Sequence, residues 1–209
     1  ELTRMVNVPK GEVDRRMFFD EEIYQLELER IFARAWNFMA HDSQIPNPGD
    51  FFLNFIGEDR VIVVRDKEGN PQVLINSYRH RGNAVCRAEE GHATSFMCTY
   101  HGWTYDLNGK LRSVPCRWDF PHVKSSHNLQ PVRCERWGGF LFINLDPDAG
   151  PLADYLAPLP DHLRRVLGAP AVGGDRRGQE RGAHVVLPVP QPRRGLGQIG
   201  FVHLHHAEA

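Results

Sequence analysis

Between Phe51 and Leu145 short runs rich in aromatic and β-branched residues alternate with clusters of Gly, Pro, Asn and Asp, and this alternation confines the chain to a mainly β fold. Pro46, Pro48 and Gly49 break any helix before the first run, Phe51 to Ile56. Arg60 to Arg65 follows, Lys67 to Asn70 makes a turn, and Gln72 to Asn76 resumes the extended pattern. From Ser95 the pattern returns. Trp103 to Asp106 and Lys110 to Val114 flank Asn108-Gly109, the strongest short-range hairpin signal. Leu129 to Glu135 and Gly139 to Leu145 add two more runs. Connections this short make the strands antiparallel.

The flanks differ from this centre. Asp20 can cap a helix, Glu21 and Glu22 suit its first turn, and Ile23, Leu26, Phe32, Ala35 and Trp36 recur at helical spacing, which predicts a helix over Glu21 to Trp36. Leu152 to Leu167 has helix-like spacing broken by Pro158 and Pro160. Ala169 to Ala209 is crowded with Gly, Arg and Pro and keeps Phe201 as its one aromatic residue, so no packed domain is expected there. The expected organisation is an N-terminal arm and helix over 1–36, an antiparallel β domain over 37–145, a linker with a short helix over 146–168, and a poorly structured tail over 169–209. The class is mainly β, α+β overall, with no internal repeat.

Twenty-five Lys and Arg against twenty-six Asp and Glu leave a formal charge of -1, so no global field draws the chain to nucleic acid or to an anionic membrane. No leader-like start or long apolar run is present, and a soluble cytoplasmic protein is expected. Four cysteines are too few for a disulfide framework, which leaves them buried, metal-bound or idle. Eleven histidines direct attention to metal chemistry.

The chemically loaded stretch is Asn76 to Trp103, NSYRHRGNAVCRAEEGHATSFMCTYHGW. It resembles the Rieske signature of ring-hydroxylating oxygenases, in which a Cys-x-His-Arg-Gly loop is followed, about seventeen residues on, by a Cys-x-x-His-Gly-Trp loop. A Rieske [2Fe–2S] centre has two thiolates on one iron and two imidazoles on the other, which raises its potential over an all-thiolate cluster. On that resemblance His80, Cys98 and His101 are cluster and metal ligands, and Arg81, Gly82, Gly102 and Trp103 match the residues that follow them. The fourth position departs from the pattern, because Tyr78 stands where a thiolate is expected. A phenolate is a hard donor on a rigid ring, whereas that iron takes a soft, compact sulfur. The expected ligand set is therefore incomplete.

Each residue also has a plainer reading. Isolated histidines such as His41, His92, His122 and His127 are ordinarily surface or hydrogen-bonded residues, and Trp103 could simply fill a small core. Cys86 is the nearest spare thiol to the departing position, yet its apolar surroundings suit a small buried hydrophobe. Cys116 and Cys134 have no ligand-like context. His203, His205 and His206 lack an acidic partner and are not expected to bind metal.

The resemblance extends over about Val13 to Leu167 and includes FARAWNFMAHDSQIPNPGDF, RVIVVRD and WGGFLFINLDPDAGPLADYL. It implies the N-terminal Rieske region of the large (alpha) subunit of an aromatic-ring-hydroxylating oxygenase, within an NAD(P)H-dependent system of aromatic hydrocarbon catabolism. In that family electrons pass from a ferredoxin or reductase through the cluster to a mononuclear Fe(II) held by two His and one Asp. The site for that iron is expected to be absent from this chain, which alone is then not competent for oxygenation. A small oxygenase subunit and a homotrimer belong to the same family expectation. Two other readings stay open: a non-enzymatic metal-binding module, and an inactive remnant.

Overall fold

The computed structural model describes residues 2–77, 81–121, 123 and 127–167. Their order is a two-strand ribbon, β1 (Val6–Asn7) and β2 (Glu12–Val13), then helix α1 (Glu21–Glu27) and β3 (Asn37–His41). The central strands are β4 (Asp50–Ile56), β5 (Asp59–Arg65), β6 (Pro71–Ile75) and β7 (Glu90–His92). After them come β8 (Phe96–Met97), β9 (Thr104–Tyr105), β10 (Leu111–Ser113), β11 (Arg133–Trp137) and β12 (Phe140–Asn144), and helices α2 (Leu152–Tyr155) and α3 (Pro158–Leu167) close the described chain. The sheets run β6-β5-β4-β7, β11-β12-β3 and β10-β9-β8, and every strand pair is antiparallel. A mainly β, antiparallel fold with an N-terminal helix is what the alternating runs predict.

Strand β5 explains how three small sheets make one body. Val61, Ile62, Val63 and Val64 are all fully buried. Because successive side chains point to opposite faces, such a run needs a core on each side of its sheet. Ile62 and Val64 pack with Phe51, Leu74, Phe96, Cys98, Trp103 and Tyr105 beneath β8, β9 and β10. Val61 and Val63 pack on the other face with Met39, Ala40, Leu141 and Ile143 of β3 and β12. The four-stranded sheet is thus the middle layer, and the loop between β8 and β9 sits over one of its faces.

Three elements differ from the sequence expectation. The helix predicted over Glu21 to Trp36 is α-helical only to Glu27, with the Asp20 carboxylate accepting from the Glu22 and Ile23 amides, and continues as one π turn over Leu28–Phe32. The wide turn is marked by Ala33 N–H donating to the Leu28 carbonyl at 3.0 Å. Leu28 lies against Gly57 in the β4–β5 turn, where an added Cβ would come within 2.8 Å of Leu28 Cδ2. Trp36 leaves the helical pattern to join Leu152 and Leu156 in a separate small core, and its indole N–H donates to the Gly150 carbonyl at 3.1 Å. The run Leu129 to Glu135 is divided between two sheets: Pro131 and Val132 border β6, with Val132 N–H donating to the Val73 carbonyl, and only from Arg133 does the chain pair with β12. The Asn108-Gly109 hairpin forms with a longer turn, in which the Asp106 amide donates to the Lys110 carbonyl and Leu107 is drawn into the core. Pro158 and Pro160 fall in the first turn of α3, where a missing N–H costs nothing.

Glu1, Tyr78, His80, His122 and everything beyond Leu167, including the tail expected to be poorly structured, lie outside the described residues.

Candidate metal centre

The loop carrying Cys98 and His101 is the connection from β8 to β9, whose register pairs Phe96 with Tyr105 and Met97 with Thr104. Cys98 N–H donates to the Trp103 carbonyl and Gly102 N–H donates back to the Cys98 carbonyl, both at 2.9 Å. These two bonds close the loop into a tight unit carrying Cys98 and His101. Gly102 takes φ +69, and a Cβ there would lie 3.1 Å from Pro115 Cγ, so the turn needs glycine for both conformation and space. Cys98 is 0% exposed and His101 is half-buried, its ring 4.0 Å from that of exposed Tyr100. Trp103 is fully buried beneath the loop and meets Phe120 edge-on at 5.7 Å. Trp103 thus fills the core directly under the Cys98 loop.

Val85 and Cys86 are tied to the end of β6 by Asn76, a residue whose importance has no signal in the sequence. Asn76 is 5% exposed and spends its side chain on the returning arm: Oδ1 accepts from the Val85 and Cys86 amides at 2.9 Å each, and Nδ2 donates to the Cys86 carbonyl at 2.7 Å. Its own amide donates to the Arg60 carbonyl at 2.8 Å. The arm so fixed carries Asn83, whose Nδ2 lies 3.9 Å from Cys98 Sγ. That contact joins this arm to the Cys98 loop. An Asn at the end of an extended run is too common to mark such a tie in advance.

Other candidates take the plainer reading. Cys86 is buried in the core beneath the loops, its thiol is pushed up by burial, and it faces the Ala88 carbonyl at 3.6 Å. Burial likewise pushes the Cys134 thiol up, to about 12. Cys116 is exposed. His41 accepts at Nδ1 from the Ser43 amide, and His92 Nδ1 lies 3.0 Å from Asp50 Oδ1. His127 packs 5.9 Å from Trp103. Among the described residues no group of three or more His, Cys, Asp or Glu side chains is gathered to hold a metal ion.

The donor chemistry can be tested against a Rieske cluster loop by loop. The second loop fits, offering one thiolate precursor and one imidazole from a closed turn. The first offers His80 and, by sequence, a Tyr78 phenol where the cluster requires a thiolate.

Residues 35–125 match the Rieske [2Fe-2S] domain family, the class that the layered antiparallel sheets and the Cys98–His101 loop define. The chain's relatives by sequence are alpha subunits of aromatic-ring-hydroxylating dioxygenases. It is 43% identical over 169 residues to the biphenyl 2,3-dioxygenase subunit alpha of Rhodococcus jostii, covering 80% of this chain and 37% of that one. The chlorobenzene dioxygenase subunit alpha of a Cupriavidus species is 40% identical over the same length, with 38% of it covered. Among solved structures, naphthalene 1,2-dioxygenase from a Rhodococcus species, bound to indole, superposes with a TM-score of 0.69 at 43% identity, over 74% of this chain and 36% of that one. The chain thus spans less than two fifths of these relatives' length. Among the described residues no helix is long and apolar enough to cross a membrane.

Proposed function

We propose that this chain provides the electron-transfer Rieske region of an aromatic-ring-hydroxylating oxygenase alpha subunit in the cytoplasm. Cys98 and His101 form one ligand pair, and His80 is the imidazole of the other. A ferredoxin or reductase donates the electrons, and their destination is a mononuclear Fe(II) outside these residues. A small oxygenase subunit and a trimeric assembly complete the proposed partners. The observation that carries the reading is the closed loop from Cys98 to Trp103, which holds a buried sulfur and a half-buried imidazole beside the arm fixed by Asn76. A ligand loop preformed by backbone bonds and a rigid underlying core is what a metal centre requires.

Tyr78 favours a second reading, a single zinc or iron ion held by His80, Cys98 and His101 with Cys86 or Tyr78 as a further donor, because such a set suits one metal ion. The experiment is anaerobic loading of the purified chain with iron and sulfide, and separately with zinc, alongside Cys98→Ser and His101→Ala. Metal content that falls in both variants supports the site. Undiminished binding in both refutes it, and colour after loading distinguishes iron–sulfur from zinc.

A further inference from the structure

We infer that Asn83 is the outer hydrogen-bond donor to the sulfur of Cys98, delivered there by the Asn76 tie, and that it sets how strongly this sulfur holds a metal. The inference rests on Cys98 being a ligand, as proposed above. Asn83 Nδ2 stands 3.9 Å from Cys98 Sγ, a sulfur wholly removed from water. That distance is long for a neutral thiol, which is a weak acceptor. Metal binding removes the thiol proton, and a charged acceptor draws donors closer and strengthens their bonds. A buried thiolate that water cannot reach gains most from such a donor.

The placement is built rather than incidental. Asn83 precedes the Val85 and Cys86 amides, both held by Asn76 Oδ1, while the Cys86 carbonyl is held by Asn76 Nδ2. Asn76 in turn is fixed to β5 through the Arg60 carbonyl. The arm cannot move from the Cys98 loop without breaking several buried bonds. Partners of this kind orient metal ligands, and their removal typically weakens metal binding about ten- to a hundredfold. Hydrogen bonds to cluster sulfurs also tune reduction potential.

The test is a cobalt(II) titration of the full chain, reading both affinity and the near-ultraviolet thiolate-to-cobalt charge-transfer band. Asn83→Leu, which keeps bulk and loses the donor, should weaken cobalt binding about tenfold and move the band to lower energy. Asn83→Gln, which keeps an amide, should recover part of both. Thermal unfolding of the apo forms checks folding, and Asn83→Ala, which removes the donor without adding bulk or charge, decides the question should Asn83→Leu disturb it. Unchanged affinity and band in the donor-free variant would overturn the inference while leaving Cys98 as a ligand. A native protein with no charge-transfer band, or a band that survives Cys98→Ser, would overturn the ligand assignment and this inference with it.

Discussion

Replacing Asn76 by Ala removes one side chain and leaves three buried backbone groups without it: the Val85 amide, the Cys86 amide and the Cys86 carbonyl. An unsatisfied buried donor or acceptor costs about 1–3 kcal/mol, and the space vacated by the amide is large and polar enough for water to re-engage part of the set. The expected loss is therefore about 3 kcal/mol, well beyond the ~0.5 kcal/mol of an ordinary surface change. The assay is urea unfolding, reading the midpoint with the slope unchanged. Hydrogen exchange of the Val85 and Cys86 amides localises the effect, since both should lose protection relative to the β4–β5 ladder. A loss under about 1 kcal/mol, or exchange at those two amides that matches the wild type, would refute the claim that Asn76 holds this arm.

Ile62→Ala and Val63→Ala should each cost about 2–4 kcal/mol by urea unfolding, because both side chains are fully buried on opposite faces of β5; a small loss at either would mean that one of the two cores is loosely packed. The Asp50 carboxyl is held below the usual carboxylate range, first by the hydrogen bond with His92 and then by the Asn47 amide. A lowered folded value stabilises above the unfolded carboxylate pKa and is lost as pH falls through the folded one. Asp50→Asn should thus destabilise at neutral pH and converge with the wild type below about pH 4 in a pH series of thermal melts. Under native conditions iodoacetamide should label Cys116, which is exposed, and spare half-buried Cys134, whose thiol is pushed up to about 12; mass spectrometry showing Cys134 alkylated as fast would contradict that shift.

The strands were legible because their signals are local. Arg60 to Arg65 reads as a strand from its β-branched run, and the hairpin at Asn108-Gly109 from two residues. What could not be read were choices made between distant segments. That Val61 and Ile62 face different cores is a consequence of three sheets stacking. The end of α1 at Glu27 comes where Leu28 lies against Gly57, and Leu129 to Glu135 is split where β6 claims its first half. At the site the same division holds. Cys98, His101, Gly102 and Trp103 announce themselves through spacing, and the loop they form is closed by its own backbone. Asn76 and Asn83 act across nine to fifteen residues through side-chain geometry that only the folded arrangement shows. The departure at Tyr78 was legible from one letter.

On the proposed reading, Tyr78 alone separates this chain from a full Rieske cluster. The most direct measurement is the iron and sulfide content of the native chain and of Tyr78→Cys after anaerobic reconstitution, read with the electron paramagnetic resonance of the reduced protein. The native chain should hold less than a complete cluster, and Tyr78→Cys should hold one [2Fe–2S] unit with the low mean g value of mixed nitrogen and sulfur ligation. A full cluster in the native chain would contradict the ligand set, and no cluster in Tyr78→Cys would contradict the proposed reading.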